Sequence, residues 1–102
     1  MSKRTQATGI SPKVRREVIE RDGGRCIICG SPRNIQIAHY ISRGRLGLGI
    51  PENLACMCFN CHFQYDNGKL HNEIENAFKS YLRRHYKNWD RLDLTFHKGG
   101  TA

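Results

Sequence analysis

Over residues 11–24 the apolar side chains Val14, Val18 and Ile19 recur at helical spacing, which gathers them on one face of a helix. Ser11 is placed to cap that helix, Pro12 fits its first turn and Gly23-Gly24 stops it. Arg15, Arg16, Arg21 and Arg25 lie on or just after it, and a mainly solvated basic face is expected for them. Over residues 35–41 the period falls to two. Ile35, Ile37, His39 and Ile41 take one side and Gln36, Ala38 and Tyr40 the other, so the segment predicts a strand with His39 near its end. Residues 42–51 contain Gly44, Gly47 and Gly49 and read as a long loop carrying Arg43 and Arg45; loops of that length in a small domain usually serve function.

Residues 54–57 predict a second short strand, and 58–66 a helix ending near Asn67-Gly68. Beyond it Leu70, Ile74, Ala77, Phe78, Tyr81, Leu82, His85 and Trp89 repeat at helical spacing. A long amphipathic helix over about 69–87 follows, its apolar stripe serving core packing or a dimer contact. The tail has weak alternation at Leu92, Leu94 and Phe96 before Gly99-Gly100, while residues 1–10 are polar, carry Lys3 and Arg4 and show no period. That first stretch is expected to be a flexible basic arm, followed by a single domain over 11–102.

With 102 residues, one small domain has little apolar surface to set against conformational entropy and needs a staple. Hydrophobic residues make up 38% of the chain. No stretch approaches the roughly 20 apolar residues of a membrane span, and no apolar signal core opens the sequence; a soluble, cytoplasmic protein with no membrane partner is expected. Residues 1–51 hold ten Lys/Arg against three Asp/Glu, and 52–102 hold seven against six, so +7 of the net +8 lies in the first half. A polyanion, nucleic acid above all, suits that surface.

Two Cys-x-x-Cys pairs, Cys26/Cys29 and Cys58/Cys61, carry the strongest chemical signal. Zinc takes four soft or borderline ligands in a tetrahedron, and two such turns close a structural site. Cys56 precedes Cys58 by two positions; Cys-x-Cys on a strand suits the knuckle less well, so Cys56 is read as a small buried residue. Four unrelated core thiols, or a redox pair, are the competing accounts.

His39, thirteen intervening residues, Asn53, eight more and His62, framed by the cysteine pairs, resemble the HNH motif of the ββα-metal nucleases, in particular small free-standing bacterial and phage members. The likeness covers roughly residues 26–68. It implies an α+β fold: a small ββα-metal core with a structural Zn²⁺ knuckle, flanked by an N-terminal helix and a long C-terminal helix. It further implies DNA phosphodiester hydrolysis by a one-metal mechanism, nicking or double-strand, leaving 5′-phosphate and 3′-hydroxyl ends. His39 would be the general base, Asn53 would aim it by bridging loop to strand, and His62 would hold a catalytic Mg²⁺ or Mn²⁺.

Many members of that family place Asp or His directly before the base, where this chain has Ala38. Asp66, four residues after His62 on the same helix face, is then the best second ligand, with an Asx turn before Gly68 an equal account of it. Arg43 and Arg45 are candidates for DNA backbone contacts, and His71, His85 and His97 for surface or packing roles. DNA is the expected partner, with a homodimer or a phage or host protein as further possibilities. The rival from another class is a non-catalytic zinc-ribbon module that binds nucleic acid; a rubredoxin-like redox role comes third.

Overall fold

A computed structural model describes residues 3–97, apart from the side chain of Arg4. Four helices, α1 (Lys3–Thr8), α2 (Pro12–Asp22), α3 (Phe59–Asn67) and α4 (His71–His85), surround two strands, β1 (Ile35–His39) and β2 (Leu54–Cys58). The strands pair antiparallel in a register that runs from Ile35 opposite Cys58 to His39 opposite Leu54. This is a small α+β fold.

The local signals act where the sequence has them. Ser11 caps α2 by accepting from the Val14 amide at 3.1 Å, and Gly23 ends it in the left-handed region at φ 68°, which costs glycine nothing. The two faces of the sheet bury different cores. Val18 of α2 packs on Leu54 and Cys56, whereas Ala38, Ala55 and Met57 face Ile74, Phe78 and Leu82 of α4. All five residues of β2 are therefore buried. Full burial of Phe78 is worth about 2–3 kcal/mol.

An ion pair finishes the free edge of β2. Arg21 Nη2 donates to the Leu54 carbonyl at 2.6 Å, the Cys56 amide donates to Asp22 Oδ2 at 2.8 Å, and the Ile27 amide donates to the Cys56 carbonyl at 3.0 Å. Arg21 also reaches the Pro51 carbonyl and the Tyr86 hydroxyl, and the Tyr81 hydroxyl donates to Asp22. The pair thus ties α2, β2 and α4 together, in the position a third strand would take. Burial works against the Arg21 charge, yet the hydrogen bond and charge of Asp22, with Tyr86, hold its pKa above the ordinary arginine value.

Four expectations from the sequence change. Where a flexible arm was expected, residues 3–8 form α1, and Thr8 is buried. Arg21 is not part of a solvated face: its side chain is 11% exposed against Asp22 at 0%, because its guanidinium serves the edge of β2. In the tail, residues 91–94 form a 3-10 turn with Leu94 buried and Leu92 exposed, and the following Thr95 pairs with Gly47. The amphipathic helix runs over His71–His85, slightly shorter than its periodicity suggested. Expectations for Gly99-Gly100 and the first two residues lie outside the described residues. Among the described residues, no helix is long and apolar enough to cross a membrane.

Candidate metal centre and adjoining polar site

The cluster of four cysteines is assembled at one end of the sheet, where β1 starts opposite the end of β2. Cys26 and Cys29 belong to the turn before β1, Cys58 closes β2, and Cys61 lies in the first turn of α3. Their sulfurs all lie within 4.8 Å of one another, and Cys29 Sγ and Cys58 Sγ are 3.6 Å apart. A zinc tetrahedron with Zn–S near 2.3 Å needs sulfurs about 3.8 Å apart, so the donor set fits a zinc ion.

Backbone amides already point at these sulfurs. Ile28 and Cys29 donate to Cys26 Sγ at 3.4 and 3.5 Å, and Cys61 donates to Cys58 Sγ at 3.4 Å. Gly30 turns the first knuckle at φ 79°, a conformation strained for a residue with a Cβ. Burial raises the Cys26 thiol, but amide donors led by Cys29 outweigh it and bring the pKa down to about 7. Cys56 is fully buried against Val18 and Leu54 and lies outside the cluster; burial and then the charge of Asp22 push its thiol up to about 12.

A second group of polar residues gathers where α3 runs alongside β1. His39, the last residue of β1, donates from Nε2 to the Thr8 carbonyl at 3.0 Å, since a carbonyl only accepts. Nδ1 is then the nitrogen with the lone pair. Burial depresses the His39 pKa below 6.5, the charges of Arg43 and His62 push the same way, and the Thr8 carbonyl and Asp66 oppose them. The ring is consequently neutral near pH 7.

Asn53 is completely buried and fastens the loop to the end of β1. Its Oδ1 accepts from the Ile41 amide at 2.8 Å, and its Nδ2 donates to the carbonyls of Ile41 and Leu48 at 3.1 and 2.8 Å. On α3, His62 Nε2 stands 3.2 Å from Asp66 Oδ2, as the four-residue spacing requires. The other nitrogen, Nδ1, donates to Gln36 Oε1 at 2.7 Å. Ala38 is buried in the main core and offers no ligand.

Arg43 and Arg45 are exposed on the 3-10 turn of the loop, but they diverge. Arg43 reaches toward Gly9 and acts on His39. Arg45 lines a cleft of about 220 Å³ together with Ser42, Asp66, His71 and Arg91. His71 lies against Tyr65, with its Nδ1 donating to the Tyr65 carbonyl, and His85 packs on Tyr81. His97 is exposed.

Sequence reasoning did not single out Gln36 or the Thr8 carbonyl. Gln36 is the polar, exposed residue between Ile35 and Ile37 of β1, a signal that alternation does contain. The Thr8 carbonyl had no signal at all, because every residue carries one.

No family profile matches the chain, and no curated protein matches it. Among solved structures, it is similar to the Type IV phosphorothioation-dependent restriction endonuclease ScoMcrA, with a TM-score of 0.62 and 24% identity. The match covers 74% of this chain and 19% of that one. The likeness is one of fold, and this chain corresponds to about a fifth of the longer protein.

Proposed function

We propose that this chain is a metal-dependent DNA endonuclease of the HNH type, a single nuclease domain stapled by zinc and including α1, whose Thr8 carbonyl meets His39. One observation carries the reading: a desolvated histidine of fixed tautomer, His39, lies within electrostatic reach of a histidine–carboxylate pair, His62 and Asp66. The fold likeness to a restriction endonuclease supports the same class.

Cleaving a phosphodiester requires an activated water on one side of phosphorus and charge relief on the other. Here Nδ1 of His39 accepts the proton of the attacking water. The Thr8 carbonyl keeps Nε2 protonated, and that carbonyl with Asp66 stabilises the imidazolium that forms. Asn53 holds the loop against the strand and so fixes the approach to His39. Arg43 and Arg45 neutralise backbone phosphates on either side. His62 and Asp66 would hold Mg²⁺ or Mn²⁺, hard ions that a carboxylate suits; when bound, the ion would supply charge relief to the phosphate. Gln36 orients His62 for that role. The products are 5′-phosphate and 3′-hydroxyl ends.

A second reading, a zinc-stapled module that binds nucleic acid without cutting it, is favoured by Ala38, which offers no ligand. Supercoiled plasmid separates the two. The nuclease gives relaxed or linear product that requires added Mg²⁺ or Mn²⁺ and disappears in zinc-loaded His39→Ala. A folded, DNA-binding wild type that cuts no plasmid, branched or single-stranded DNA under any ion leaves the binding module.

A further inference from the structure

Among the described residues, five large apolar side chains are exposed: Ile19, Leu70, Leu92, Phe59 and Phe63. The three aliphatic ones belong to separate segments, and isolated exposure of that kind is ordinary. The phenylalanines differ. They are 58% and 50% exposed, one helical turn apart on α3, with ring centroids 6.4 Å apart and planes inclined by 23°.

Helical geometry puts Phe59, His62, Phe63 and Asp66 on one face of α3, so the rings continue the surface that carries His62 and Asp66. Beside Phe59 lies a shallow hollow of about 320 Å³, walled by Asn34, Ile35 and Gln36. The Phe59 amide donates to the Asn34 carbonyl at 2.9 Å, which fixes that wall, and Gln36 is the residue that holds His62. The hollow thus sets the Phe59 ring, with Phe63 against it on the helix, beside side-chain amides able to donate and accept, and no acidic residue lines it.

A second copy of the chain is a poor occupant. Two half-exposed phenyl rings offer about 200 Å², against the about 800 Å² per partner of a stable interface. A nucleobase fits better: its faces stack on aromatic rings, its edges hydrogen-bond to amides, and its backbone suits a chain of net charge +8.

We infer that Phe59 and Phe63 form a stacking platform for an unpaired base of the DNA strand whose backbone passes His62, so that the preferred substrate presents an unstacked nucleotide, as in a bulge, flap or single strand. The inference rests on the nuclease reading and names its substrate class. A base inside a matched duplex cannot use the platform without first paying for its unstacking.

The test uses zinc-loaded protein in the His39→Ala background, so that DNA is bound but not cut. Its probes are a matched duplex and the same duplex with one 2-aminopurine bulge. Affinity is read by anisotropy and stacking by 2-aminopurine quenching. The bulged probe binds about ten-fold tighter than the matched one and is quenched. Combined Phe59→Leu and Phe63→Leu substitutions keep an apolar surface without a π face; they bring the ratio to within about two-fold and abolish quenching, leaving matched-duplex affinity and thermal stability unchanged. Equal affinity of the parent protein for both probes overturns the inference, as does a leucine variant that keeps the preference. A dimer in sedimentation that the leucine variant dissolves overturns it too, by making the face an interface between copies.

Plasmid cleavage by wild type with no bulge preference removes the platform and leaves the nuclease standing. Absence of both cleavage and binding removes the nuclease and the platform with it.

Discussion

The carbonyl of Thr8 accepts from Nε2 of His39 at 3.0 Å, across 31 positions of the chain. A short helix at the start of the described chain thereby decides which nitrogen of a central histidine carries the lone pair. The loop secures that helix in turn, because the Gly49 amide donates to the Ala7 carbonyl at 2.9 Å. His39, the loop and the first helix form one mechanical unit, from which the first two predictions follow.

In the proposed mechanism His39 serves as the base only when neutral, and its pKa lies below 6.5, first through burial and then through the charges of Arg43 and His62. Cleavage should therefore rise with pH to a plateau, with the midpoint of the acidic limb below the ordinary histidine value of 6.5. Replacing Arg43 by Ala removes a positive charge that disfavours imidazolium, so the acidic limb of kcat/KM moves to higher pH. His39→Ala should lower turnover by at least about 100-fold, with zinc content and DNA affinity unchanged. A profile from about pH 5 to 8 with an unmoved limb in Arg43→Ala would show that this charge does not act on the base.

Gly49 and Gly44 should respond differently to alanine. A Cβ at Gly49 would sit 2.0 Å from the Gly9 carbonyl oxygen, whereas at Gly44 the nearest neighbour is Ser42 Oγ at 3.9 Å. Gly49→Ala pushes the end of α1 away from the loop and takes the Thr8 carbonyl from His39. It is expected to cost about 1–3 kcal/mol in urea unfolding and to lower turnover about ten-fold. Gly44→Ala should leave both within error.

The five cysteines divide four to one. Elemental analysis should find one zinc per chain, lost together with cooperative unfolding in Cys58→Ser or on strong chelation. Cys56→Ala keeps the metal and costs only about 1 kcal/mol, the scale of a small cavity, because Cys56 packs on Val18 and Leu54 away from the cluster. Loss of zinc in Cys56→Ala would reassign the ligands.

Arg21→Met strands the fully buried Asp22 carboxylate and frees the edge of β2. Removing one partner of a buried pair costs about 3–5 kcal/mol, measurable as a lowered urea midpoint at constant slope. Arg15→Ala, on the exposed face of the same helix, should stay within about 0.5 kcal/mol.

Much of the architecture was legible before any coordinates. The cap at Ser11, the stop at Gly23, the alternation ending at His39 and the stripe of Ile74, Phe78 and Leu82 are local or periodic signals. Each names an element without reference to the rest of the chain. Residues 3–8 carry no such stripe, and α1 forms through contacts with the loop and with His39. Arg21 followed ordinary surface arginines in sequence and was read as one of them. Only the placement of β2 gives its guanidinium carbonyls to serve.

By itself, then, the sequence determined which donors are available and how they are spaced: two cysteine turns that suit one zinc, a histidine at a strand end, and a histidine and carboxylate one turn apart. Short-range geometry sets such spacings, so they can be read from the order of residues. Tertiary structure alone decided that the four sulfurs meet, that His39 is desolvated and held by a carbonyl of α1, that Gln36 orients His62, and that Phe59 and Phe63 remain exposed beside it. Those properties depend on which surfaces cover one another, and burial is a relation between segments distant in sequence that no local pattern records.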